Sequence, residues 1–177
     1  MDGLYWDLTA HARGALSEAL VAEAIYQRHS DAQLHSPRHP GYDASSDEGG
    51  LQVDAKVASI VHIDIDGSGS VWTVEWDAGG RPNLLHETAT HLGLVVLDKE
   101  MTTVKLFSGV DVVLRGEVAA HGRVFLVPGS VAQLESRPIW SARHQRPSKG
   151  RFRYLRLKTI EPYEVEFRFQ ATSGNQK

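Results

Sequence analysis

Between positions 41 and 56 the chain reads GYDASSDEGGLQVDAK: an acid, a turn of serines, acids and glycines, then an alternating segment. A turn of that composition between extended stretches predicts a β-hairpin, which leaves its flanking residues little positional freedom. Successive strand side chains point to opposite faces, so Asp54 and Lys56 project together, away from Val53, Ala55 and Val57. Closure of the turn at residues 45–50 brings Asp43 beside Asp54. Two carboxylates and an ammonium then share one spot, which suits a divalent cation and a hydrolytic water. Without a cation the same residues make a charged, ion-paired solvent face, worth only about 0–1 kcal/mol when exposed. Both readings fit the residues.

The rest of the chain predicts a mixed α/β (α+β) protein. Leu16, Leu20, Val21, Ala24 and Ile25 recur at helical spacing, giving a first helix from a cap at Thr9 to near His29. Glu18 and Glu23 flank that apolar stripe, and an aperiodic loop with two prolines follows it. Past the hairpin, Val61, Ile63 and Ile65 alternate with polar residues, as do Trp72, Val74 and Trp76 on a return strand. The run LGLVVL at residues 92–97 reads as a strand buried on both faces, with residues 103–107 returning alongside it. A short helical piece is expected over residues 84–90, and a helical turn capped by Ser130 over residues 130–136. Residues 110–120 fit strand or helix, and residues 123–127, 151–159 and 163–169 read as extended. The sum is a mixed sheet with at least one helix on a face.

At 177 residues the chain fits one domain over residues 1–177, with residues 137–177 standing out as a basic, β-rich C-terminal part. The lack of cysteine excludes disulfides, thiolate metal sites and a cysteine nucleophile. No basic segment precedes an apolar run at the N-terminus, and no apolar run is long enough to span a membrane. The expected address is cytoplasmic.

Net charge is −3, but it is unevenly spread. From Ser136 to Ile160 there is no acid, and eight cations occur: Arg137, Arg143, Arg146, Lys149, Arg151, Arg153, Arg156 and Lys158. A local basic stretch interleaved with Phe152 and Tyr154 points to a polyanion such as nucleic acid, and equally fits a solvated basic loop.

Other patterns carry less. His62, Asp64 and Asp66 share a strand parity with Asp54 and Lys56, but ten residues of straight strand span about 33 Å. His86, Glu87 and His91 miss the spacing of a zinc-protease helix, and the glycine-rich GSGS turn at residues 67–70 precedes no helix. No G-x-S-x-G serine nucleophile occurs.

With these residues in view, the chain resembles the PD-(D/E)XK nuclease superfamily, the restriction-endonuclease-like fold. The match runs over roughly residues 9–107: a first helix with a glutamate (ALSEALVAEAI), then GYD, then QVDAK, with ten residues separating Asp43 from Asp54. Tyr42 stands where the motif's proline would be, and its second acid is an aspartate. The resemblance implies a mixed sheet flanked by helices and metal-dependent hydrolysis of phosphodiester bonds in DNA. It implies Asp43 and Asp54 as ligands of Mg²⁺ (or Mn²⁺) with the Ala55 carbonyl, Lys56 beside the attacking water, and Glu18 in support. Arg143, Arg146, Lys149, Arg151, Arg153 and Arg156 would grip the nucleic acid, and duplex cleavage would call for a homodimer or two successive nicks. Two other readings remain from the residues: an inactive nucleic-acid-binding or assembly module of the same fold, and an unrelated β-rich binding domain.

Overall fold

A computed structural model of the chain describes residues 10–36, 39–64, 70–79, 85, 88–97, 103–105, 111–113, 122–138 and 152–165. Its frame is a nine-stranded mixed sheet with helices on both faces. The strands are β1 (Gln33–Leu34), β2 (Ala44–Ser46), β3 (Leu51–Asp64), β4 (Ser70–Asp77), β5 (His91–Leu97), β8 (Gly122–Pro128), β9 (Arg137–Pro138), β10 (Phe152–Arg156) and β11 (Glu164–Val165). Two further strands, β6 (Thr103–Lys105) and β7 (Asp111–Val113), pair only with each other. The main order is β11-β8-β5-β3-β4-β10-β9, with β2 attached to β3 and β1 to β2. Every pairing in it is antiparallel except β3 with β5.

Strand parity sorts the core into two layers. Helix α1 (Ala10–Tyr26) buries Leu16, Leu20, Val21, Ala24 and Ile25 against Val53, Ala55, Val95, Val124 and Leu126 on one sheet face. The helical spacing of those residues put them on one stripe, and Glu18 and Glu23 lie half-buried at its margins. The other face carries Ala58, Val74, Trp76, Leu92, Leu94, Phe125 and Val127, covered by α2 (Gly129–Glu135) and α3 (Leu157–Ile160) through Ala132 and Ile160. No helix among the described residues is long and apolar enough to cross a membrane.

Some local expectations change. The first helix ends at Tyr26, and its expected cap Thr9 lies outside the described residues. Of the helical piece expected over residues 84–90, Leu84, His86 and Glu87 lie outside the described residues, and the other four are turn or irregular backbone, not helix. The loop after α1 contains β1, whose two exposed residues have no periodicity to reveal them. The antiparallel neighbour of β5 is β8, not residues 103–107, because β6 turns back onto β7. Ser130 does not cap α2: that helix starts at Gly129 after Pro128 without a side-chain cap. The last part of the extended stretch at 151–159 is helical, since α3 begins at Leu157. Tyr163 belongs to a 3₁₀ turn (Glu161–Tyr163), leaving only Glu164 and Val165 described as strand. The described strands after Ser136 join the central sheet through β4 and β8.

Candidate active site at a fork in the sheet

Strand β3 is fourteen residues long, and its two edges are used differently. One edge pairs with β5 from Val53 to Ala58. The other is shared: β2 holds it from Leu51 to Val53, and β4 takes it up again at Ala58. Over residues 54–57 neither strand is paired to that edge. The sheet therefore forks, and the fork opens at Asp54, Ala55 and Lys56.

Asp43 sits at the end of β2 and fills part of the opening. Its backbone N–H donates to the Val53 carbonyl at 2.9 Å, and its own carbonyl accepts the His35 N–H at 2.8 Å. The side chain continues the ladder that the backbone abandons, with Oδ2 accepting the Ala55 N–H at 2.8 Å. The hairpin register sets Ala44 opposite Val53, so Asp43 falls opposite Asp54 and on its face. Lys56, half-exposed, donates through Nζ to Asp54 Oδ1 and reaches the Ala55 carbonyl at 3.3 Å. The three polar tips expected from the hairpin thus come together, and the Ala55 carbonyl opens onto the same place.

The electrostatics bear out that crowding. Burial pushes the Asp43 carboxyl above its ordinary range, and the neighbouring Asp54 carboxylate pushes it further. The Ala55 amide and the Lys56 ammonium pull the other way. Asp54 is itself buried. Two carboxylates held this close need a cation or a proton between them.

Glu18 is placed differently. Asp43, Asp54 and Lys56 project from the face opposite the one α1 covers, because Ala44, Val53 and Ala55 face α1. Glu18 is half-buried on α1. Among the described residues no group of three histidine, aspartate or glutamate side chains is gathered tightly enough to hold a metal ion. Two carboxylates and a carbonyl still fit Mg²⁺, which keeps several waters and commonly takes only one or two protein carboxylates.

Residues that the hairpin pattern did not point to complete the surroundings. The His35, His39 and Tyr42 rings form a cluster with centroids 4.4–5.0 Å apart, immediately before Asp43. His35 Nε2 shares a hydrogen bond with Ser45 Oγ at 2.8 Å, and burial followed by the His39 charge lowers its pKa. His39 Nδ1 is buried, with no hydrogen-bond partner among the described residues. Asp31 holds the hairpin turn from outside, accepting Ser46 Oγ–H at 2.6 Å and the Glu48 N–H at 2.9 Å. Those bonds, Ser46 first, keep the Asp31 carboxyl below its ordinary range. The signal for the ring cluster was the histidine pair before GYD, legible only once β1 is known to pair with β2.

Of the expected nucleic-acid contacts, Arg143, Arg146, Lys149 and Arg151 lie outside the described residues. Arg156 is exposed at the end of β10. Arg153 is half-buried, its guanidinium donating to the hydroxyl and carbonyl of Ser136. Trp76 is core, as expected of an alternating tryptophan, whereas Trp72 is exposed and stacks on His62 at 4.6 Å. No protein-family model, curated protein or solved structure matches the chain.

Proposed function

We propose that the protein is a metal-dependent nuclease that hydrolyses phosphodiester bonds in DNA, with a centre of the PD-(D/E)XK type at the fork in the sheet. The observation that carries the reading is the lapse of the β3 edge over residues 54–57, where Asp43, Asp54, Lys56 and the Ala55 carbonyl meet. Asp43 and Asp54 would hold Mg²⁺ or Mn²⁺ with the Ala55 carbonyl. Bound there, the ion supplies a more acidic water and neutralises charge gathering on the phosphate. Asp43, pinned by the Ala55 amide, keeps its carboxylate aimed into the opening. Lys56, beside Asp54 and the Ala55 carbonyl, would orient the attacking water or stabilise the phosphorane-like transition state.

The test is plasmid cleavage with EDTA, Mg²⁺ or Mn²⁺. Cutting is expected only with a divalent cation, and Lys56→Ala should lower the rate by about 10²–10³-fold while the protein stays folded. Cutting in EDTA, or full activity of the Lys56→Ala protein, would overturn the proposal. A second reading is favoured by one observation: Lys56 is already paired with Asp54, and Asp43 already serves the β3 ladder. In that case the protein binds nucleic acid without cutting it, and DNA affinity is equal with and without metal.

A further inference from the structure

The guanidinium groups of Arg137 and Arg153 converge on a single oxygen. Arg137 Nη1 and Arg153 Nη2 each donate to the Ser136 carbonyl at 3.0 Å. Two nitrogens bonded to one acceptor lie within about 6 Å of each other. Each group is anchored a second time, Arg137 Nη1 on the Leu134 carbonyl at 2.8 Å and Arg153 Nε on Ser136 Oγ at 3.0 Å. Ser136 is buried where α2 ends, so the fold fixes the pair.

The proximity is felt electrostatically: burial, then the Arg137 charge, lowers the Arg153 pKa. Like charges this close are unfavourable until an anion joins them. Among the described residues neither guanidinium has a carboxylate partner. Residues 136–160 contain no acid; the nearest carboxylates in sequence or register are Glu135, just before Ser136, and Glu75 and Asp77, either side of Trp76 on the paired strand.

We infer that Arg137 and Arg153, splayed over Ser136, form a fork for a backbone phosphate of the nucleic-acid strand. This rests on the phosphodiester reading above and names where the strand is gripped. Arginine suits the task, since its planar donors match phosphate oxygens in pairs. The fork also lies on the useful side of the sheet. Arg153 opposes Trp76 on β4, and Trp76 opposes Ala58 on β3, so all three share the face of Lys56 and Asp54. Two strand spacings across and two residues along separate the Arg153 and Lys56 backbones by about 12 Å. The buried Ala58 and Trp76 lie between them.

The experiment is fluorescence anisotropy of a short fluorescein-labelled single-stranded oligodeoxynucleotide in EDTA, across a salt series. Working without metal separates gripping from cutting. Arg137→Gln is the main variant because Arg137 is exposed and the Arg153–Ser136 bonds survive its loss. Its affinity should fall about 3–10-fold, and its log–log salt slope should flatten by about 0.7, the value for one lost contact to a single strand. Arg153→Lys, which keeps the charge and loses the planar donors, should weaken binding with the slope retained. Wild-type affinity and slope in Arg137→Gln would overturn the fork, even if the plasmid is cut. So would tighter binding of phosphatidylserine vesicles than of the oligonucleotide. Slope loss in Arg137→Gln by a protein that cuts nothing would keep the fork and sink the nuclease.

Discussion

Asp43 does two jobs that conflict. As part of the sheet it must present an oxygen to the Ala55 amide, and as part of a charged cluster it must stand beside Asp54. The second job makes its ionised form costly, which gives a pH signature. With a folded-state pKa above the ordinary 3.8, the folded chain keeps a proton that the unfolded chain has lost. Stability therefore falls as pH rises from 3.8 through the raised value, and the penalty stays in full above it. Asp43→Asn keeps an acceptor for Ala55 and removes the charge. In EDTA at neutral pH it should melt above the wild type. The gain should disappear below pH 3.8, where Asp43 is protonated in both states. Adding Mg²⁺ should raise only the wild-type melting temperature, because the variant has lost a ligand. A variant that melts with the wild type at every pH would show that the carboxylates do not oppose each other.

At the scale of elements, the fork exists because β3 is longer than any partner on its shared edge. The opposite edge has no such break: β5 runs beside β3 from Val53 to Ala58 and needs Gly93 to do so. A Cβ on Gly93 would stand 2.8 Å from Val53 and 2.9 Å from Val21, between β3 and α1. Gly93→Ala should therefore overpack the layer beneath the site and cost about 1–3 kcal/mol, read from the denaturant midpoint. An unchanged midpoint would mean that α1 is free to move off the sheet. Sequence pattern reached the hairpin, the long strand pair and the buried strand, because each shows its period within a few residues. It missed β1, the neighbour of β5 and the start of α3. Gln33 and Leu34 are both exposed and are a strand only because β2 is there to pair with them. Leu157 to Ile160 continue an extended-looking segment and turn helical where Ile160 enters the second core layer.

For the molecule as a whole, charge and topology point the same way. The cations gathered after Ser136 belong to a chain that is acidic overall, and the described strands there join the sheet that bears the fork. Under the proposed nuclease reading, one centre in each chain would cut one strand at each encounter. Supercoiled plasmid should accordingly pass through open circle before linear product appears on a gel. Linear product without an open-circle stage would indicate two centres acting together in a homodimer.

The amino-acid sequence by itself determined the period-two strand, the glycine-rich turn and hence the meeting of Asp43, Asp54 and Lys56, since all three lie within one hairpin and its geometry is local. It also determined the α1 stripe, which the 3.6-residue repeat writes directly. Only the tertiary structure decided that β2 and β4 share one edge of β3 and leave a gap at residues 54–57, and that Glu18 stands on the layer facing the other side. It alone brought Arg137 and Arg153 onto one carbonyl. Those outcomes depend on which distant segments compete for the same backbone hydrogen bonds and the same sheet face, and no short-range pattern encodes that competition.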